Sequence, residues 1–130
     1  MTGLEAVALY AALNMALVLG LAANVSRHRR RAKISLGNGT DRKLEQACRA
    51  HGNGVEYVPL ALIALYLVAA SGYSTLWIHA LGLALTTGRI VYSYGLLTSP
   101  GPSIGRVTGT GLTWLMLLAS LLLLIGAAIT

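Results

Sequence analysis

Arg49, Asn53 and Glu56 stand at i, i+4 and i+7, the spacing that stacks side chains one above another on a single helix face. His51 and Tyr57 fall within the same turns, and from Pro59 onward the chain runs into an apolar stretch ending at Ala70. A cation, an amide and a carboxylate on one face can bind a polar ligand or pair with neighbours. Where a helix enters a membrane, such a face is costly without partners. Arg89 with Tyr92, and Arg106, recur later in the chain. If all three groups lie at the same end of their helices, they can converge on one pocket. Two or three arginines against one carboxylate then leave positive charge for an anionic ligand. The competing reading is that Arg49–Glu56 or Arg89–Glu56 ion pairs stitch helices together and hold nothing else.

The elements that must position these groups are membrane helices. Of 130 residues, 55% are hydrophobic and only 11% charged, against about 25% charged in an ordinary soluble domain. A soluble chain this short has no means of burying that much apolar surface. The formal charge is +6, and eight of the ten Lys and Arg lie between Arg27 and Arg49. A basic cluster set between two apolar spans reads as a topology anchor against anionic lipid head groups rather than as a nucleic-acid site. Cys48 is the single cysteine, so no intrachain disulfide forms, and a packing role is preferred over a catalytic one. No His, Cys and carboxylate set with metal-ligand spacing occurs.

Four helices are expected, at about 4–25, 42–71, 75–97 and 104–129, in a single domain covering 1–130. Each is long enough for a bilayer crossing, which takes roughly 20 residues. Asn14 at mid-span needs a hydrogen-bond partner and reads as a contact between helices. Thr40 or Asp41 is placed to cap the second helix, and Pro59 to kink it or free a carbonyl near Val55. Gly52 and Gly54 offer a close backbone approach, and Gly105 with Gly109 forms a second small-residue face. Trp77 and His79 belong near the uncharged interface. The loop at 71–74 has no Lys or Arg, whereas the loop at 26–43 is strongly basic. That asymmetry places the basic loops inside and both termini outside.

The run Arg49, Asn53, Glu56, Tyr57 and Pro59 closely resembles the signature of the MAPEG family, the membrane-associated proteins of eicosanoid and glutathione metabolism. Arg89 with Tyr92, Arg106 opening the fourth helix, the long basic first loop and the chain length are similar to the same family. The resemblance implies an all-α integral membrane bundle of four transmembrane helices that assembles as a homotrimer, with glutathione bound between subunits. It further implies that Arg49, Asn53, Glu56 and Tyr57 hold the tripeptide, with Tyr92 and Arg89 contributing from the third helix. His51 resembles a histidine of some prostaglandin-forming members. Arg29 or Arg30 resembles a basic residue that reaches a glutathione carboxylate, and Arg106 a catalytic arginine near the thiol. Leu96 stands where the eicosanoid branch carries a second tyrosine, although Tyr94 is near, which argues against a specialised leukotriene or prostaglandin enzyme.

These residue types suit that chemistry. Arginine forks match carboxylates, a glutamate matches an ammonium, and a guanidinium favours an ionised thiol. The expected activity is a membrane-bound glutathione transferase or peroxidase acting on lipophilic electrophiles or hydroperoxides, in a bacterial inner membrane. It needs glutathione as thiol substrate, membrane lipid and a lipophilic small molecule, and involves neither metal nor nucleic acid. One alternative is a non-catalytic scaffold or accessory subunit of the same fold that binds a thiol, a lipid or a partner complex. A small four-helix transporter is a third reading, disfavoured because Glu56 lies near the end of its span rather than at mid-depth.

Overall fold

A computed structural model describes residues 1–129, and every regular element among them is an α-helix: α1 (Gly3–Ala32), α2 (Arg42–Ala70), α3 (Thr75–Thr98) and α4 (Ile104–Ile129). Their starts follow from local chemistry. Thr2 and Glu5 form a reciprocal capping box on α1, with Glu5 N donating to Thr2 Oγ1 and Thr2 N to Glu5 Oε2, which satisfies two orphan donors at once. Asp41 rather than Thr40 caps α2, its carboxylate accepting from Leu44 N at 2.9 Å. Ser103 Oγ accepts from Arg106 N at the start of α4. The first helix continues through the basic stretch to Ala32 and ends on Lys33 in the left-handed conformation. The arginines there are on-helix, with their cations near the carbonyl end that favours them. Pro59 lies inside a continuous α2.

Helices α1, α2 and α4 are each long and apolar enough to cross a membrane. The polar residues of α3 explain why it is not among them: Thr86, Arg89 and Ser93 point into the bundle and are buried. The other three helices shield that face from lipid. At the end of the bundle near both termini the core is aliphatic, with Ala6, Ala61, Leu65, Ile78, Leu85 and Met116 packed together. Asn14 crosses from α1 to α3 within it. Its Nδ2 donates to Thr86 Oγ1 and to Tyr10 O, both at 2.9 Å. Tyr10 in turn meets His79 through its hydroxyl at 3.0 Å.

The closest helix pair is α3 with α4. A Cβ added to Gly88 would lie 2.9 Å from the carbonyl oxygen of Gly109, and one on Gly105 would lie 3.0 Å from that of Val91. Gly95 similarly faces the backbone of Arg106 at 2.9 Å. Two glycines on each helix therefore set the separation, as in small-residue contacts between membrane helices. Gly52 and Gly54, expected to play this part, do not. An added Cβ on Gly52 meets nothing within 4 Å, and one on Gly54 meets only ordinary side-chain contacts at 3.7 Å.

This packing has a direct consequence for stability. Gly109→Leu should force α3 and α4 apart and cost about 1–3 kcal/mol or more. Gly111→Ala, where an added Cβ meets nothing within 4 Å, should be neutral or slightly stabilising. Unfolding in mixed detergent micelles measures both, and equal effects would refute the assigned contact.

Candidate functional site

At the end of the bundle bearing the basic loop, the N-terminal half of α2, the C-terminal end of α3 and the start of α4 enclose a cleft of about 590 Å³. Arg49, Asn53 and Glu56 line it from α2, Tyr92 from α3 and Arg106 from α4. Five of the residues singled out in the sequence, three of them by helical spacing, therefore share one cavity. They reach it because Arg49, Asn53 and Glu56 occupy a single α2 stripe, and because the α3–α4 glycine contact brings Tyr92 beside the start of α4.

Behind the cleft lies Arg89, 2% exposed. Its Nη1 donates to Asn53 Oδ1 at 2.6 Å and its Nε to Thr113 Oγ1 at 3.0 Å. The guanidinium carbon lies 5.1 Å from the Tyr57 ring centroid and 4.9 Å from that of Tyr92. Burying an ion costs several kcal/mol. Two desolvated cation–π contacts of about 2 kcal/mol each and two charged hydrogen bonds of roughly 1.5–3 kcal/mol each offset much of that cost, while Arg89 Nη2 stays buried without a hydrogen-bond partner among the described residues. No carboxylate takes part. Arg89 does not line the cleft; it holds Asn53 and Tyr92, which do. Because the Asn53 carbonyl oxygen is engaged by Arg89, the amide N–H groups of Asn53 remain as donors for a ligand.

The carboxylate of Glu56 is exposed and forms no ion pair among the described residues. The stitching pairs Arg49–Glu56 and Arg89–Glu56 are therefore not formed within this chain. Arg49 is likewise exposed and forms no ion pair among the described residues. Arg106 is half-buried, and its Nη1 donates to Gly101 O at 3.0 Å. That single tie fixes the guanidinium at the cleft and leaves its other N–H groups available. The cleft thus offers separated charges of both signs, the pattern that receives a zwitterionic or anionic molecule.

Other candidates lie elsewhere. Arg29 secures the first loop, donating to Gly37 O at 2.8 Å and more weakly to Ile34 O, Ser35 O and Cys48 Sγ. Arg30 is exposed and His51 half-buried, both outside the cleft. Tyr57 also lies outside it, accepting from Trp114 Nε1 at 3.0 Å. Conversely, Arg42, Glu45 and Gln46 line the cleft without having been singled out by the sequence, and Cys48, read there as a packing residue, lines it too. The signal was present for the first three. Positions 42, 45, 46, 49, 53 and 56 continue one helical stripe toward the N-terminus of α2. Gln46 also closes the cleft wall, its Nε2 donating to Leu96 O at 2.9 Å. Among the described residues no three His, Cys, Asp or Glu side chains gather as a metal-binding group.

Replacing Asn53 with Leu should leave the buried Arg89 Nη1 without its acceptor and cost about 2–3 kcal/mol. Thr113→Val removes the second acceptor and should cost a similar amount. Detergent unfolding checks both, and unchanged stability in each would remove Arg89 from its proposed role in holding α2 and α4.

Comparison with known proteins bears on this arrangement. The sequence pattern of the MAPEG family matches residues 7–126. Two curated relatives named inner membrane protein YecN, from Escherichia coli strain K12 and from E. coli O6:H1 strain CFT073, are each 35% identical over 88 residues. The alignment spans 68% of this chain and 67% of the relative.

Proposed function

The chain belongs to the MAPEG family, and from that premise we propose that it is a membrane-bound, glutathione-dependent transferase or peroxidase. The observation that carries the reading is the cleft, in which Arg49, Asn53, Glu56, Tyr92 and Arg106 converge, with Glu56 and Arg49 forming no ion pair among the described residues. Glutathione carries two carboxylates, one ammonium and a thiol. Arg49 and Arg42 suit its carboxylates, and Glu56 or Glu45 its ammonium. Asn53 donates to the peptide skeleton. Arg106, tied at one nitrogen to Gly101, holds a permanent positive charge that favours the ionised thiol. The thiol proton passes to solvent. In conjugation the thiolate forms a carbon–sulfur bond to a lipophilic electrophile, either expelling a leaving group such as halide with the bonding pair or opening an activated double bond whose carbanion then takes a proton from solvent. Reduction of a hydroperoxide consumes two thiols and yields a disulfide, an alcohol and water.

The apolar helices suit an integral membrane location, and the relatives' name points to a bacterial inner membrane. The positive first loop supports an orientation with the cleft at the cytoplasmic side and the termini opposite. A homotrimer is part of the proposal. Glu56 heads an exposed α2 stripe continuing through Leu60, Ile63 and Leu67, a face that a second copy would cover. In such an assembly His51, Tyr57 and Arg30, outside this chain's own cleft, become available to a site shared between subunits. The mass of the detergent-solubilised protein tests this, and a monomer would refute it.

Glutathione added to the purified protein should raise ultraviolet absorbance from bound thiolate at neutral pH. Arg106→Ala should abolish that signal with less than tenfold loss of binding, whereas Glu56→Gln should weaken binding itself by about tenfold or more, the loss of a charged contact of at least about 1.4 kcal/mol. Saturable binding with no thiolate signal in the wild type would favour the scaffold reading. No glutathione binding at all would overturn the enzyme reading and any scaffold reading that rests on a thiol.

A further inference from the structure

On the outward face of α1, away from the cleft, Gly20, Ala23, Asn24 and Arg27 line a separate groove of about 280 Å³. These positions follow i, i+3, i+4 and i+7, and Arg31 continues the stripe one turn further. Arg27 Nη2 donates to Asn24 Oδ1 at 2.7 Å. That bond occupies the amide's carbonyl oxygen and leaves the Asn24 Nδ2 and the remaining Arg27 nitrogens, all donors. The pair therefore presents hydrogen-bond donors only, which is the requirement for an oxyanion. Arg27 and Arg31 are exposed and have no ion pair among the described residues. The helix end itself attracts cations rather than anions, so recruitment rests on these side chains. One turn nearer the bilayer centre, Gly20 leaves the groove open, an added Cβ meeting nothing within 4 Å. Apolar Leu19 and Met15 are exposed beyond it.

We infer that this groove binds one anionic phospholipid, with the phosphate on Asn24 and Arg27 and an acyl chain lying over Gly20 and Ala23. Three features select this occupant. The donor-only pair and neighbouring Arg31 complement a phosphate. The pair lies at the basic end of a span, where head groups lie. The open, small-residue floor below admits a chain at the depth of the hydrocarbon. A second protein copy would find the same floor, yet among the described residues no acidic side chain is free to meet Arg27 and Arg31 except those in or near the cleft. The site is independent of the thiol chemistry.

The test is binding of spin-labelled phosphatidylglycerol, against phosphatidylcholine with the same label, to the full-length protein in phosphatidylcholine nanodiscs. Wild type should prefer the anionic lipid. Arg27→Gln should reduce that preference about fivefold, the factor corresponding to about 1 kcal/mol for one basic residue at an anionic surface. Gly20→Leu, which fills the floor without changing charge, should displace the label from α1, read as loss of relaxation enhancement at a probe on Ala23→Cys in a Cys48→Ala background. Folding is checked by helix content and by stability in detergent. An unchanged preference in folded Arg27→Gln, or an unchanged Ala23 signal in Gly20→Leu, would overturn the proposal. A change of oligomeric mass in Gly20→Leu would overturn it in favour of a second copy in the groove.

Discussion

The structure of the site depends on one buried charge. Arg89 has no carboxylate partner, so its guanidinium must be held by two aromatic faces, an amide oxygen and a hydroxyl. Those four groups come from three helices: Asn53 and Tyr57 from α2, Tyr92 from α3 itself and Thr113 from α4. In a medium without water an unsatisfied ion is expensive, so each partner is held to its place. Two of the partners, Asn53 and Tyr92, show their other side to the cleft. The penalty of burying the cation thereby orients groups that line the cleft.

The α3–α4 contact makes this possible. Gly88 and Gly109 let the helices approach until backbone meets backbone. Thr113, one turn beyond Gly109, donates its hydroxyl back to Gly109 O at 3.0 Å and so turns an oxygen lone pair to Arg89 Nε. The same proximity sets Arg106 opposite Tyr92. Packing, charge burial and cleft geometry are one arrangement, and the aliphatic core toward the termini carries none of it. That core has its own polar bridge in Asn14 and Thr86, which joins α1 to α3 without reaching the cleft.

Much of this was legible from residue spacing. Apolar length announced the helices, and the i, i+4, i+7 pattern of Arg49, Asn53 and Glu56 announced a shared face, because helical periodicity is local. The role of Asn14 was readable for the same reason: an amide among apolar residues must find a partner. The division of labour among the arginines was not. Arg89 and Arg106 look alike in sequence, yet one is sealed behind two tyrosines and the other lines the cleft. Burial is a tertiary property, set by the α3–α4 distance. The loop contacts of Arg29 were not legible for a similar reason, since the carbonyls that engage its guanidinium gather only when the chain turns at Gly37. Gly52 and Gly54 were misjudged because a glycine permits close approach without requiring it.

Arg89 shapes the cleft without lining it. Calorimetric titration of glutathione into a folded Arg89→Lys protein tests it most directly. A lysine keeps the charge but cannot reach Asn53 and Thr113 together while spanning both rings. Glutathione affinity should be at least tenfold weaker than wild type, with helix content and oligomeric mass unchanged. Wild-type affinity in that variant would contradict it, because Asn53 and Tyr92 would then be oriented by something other than the buried cation.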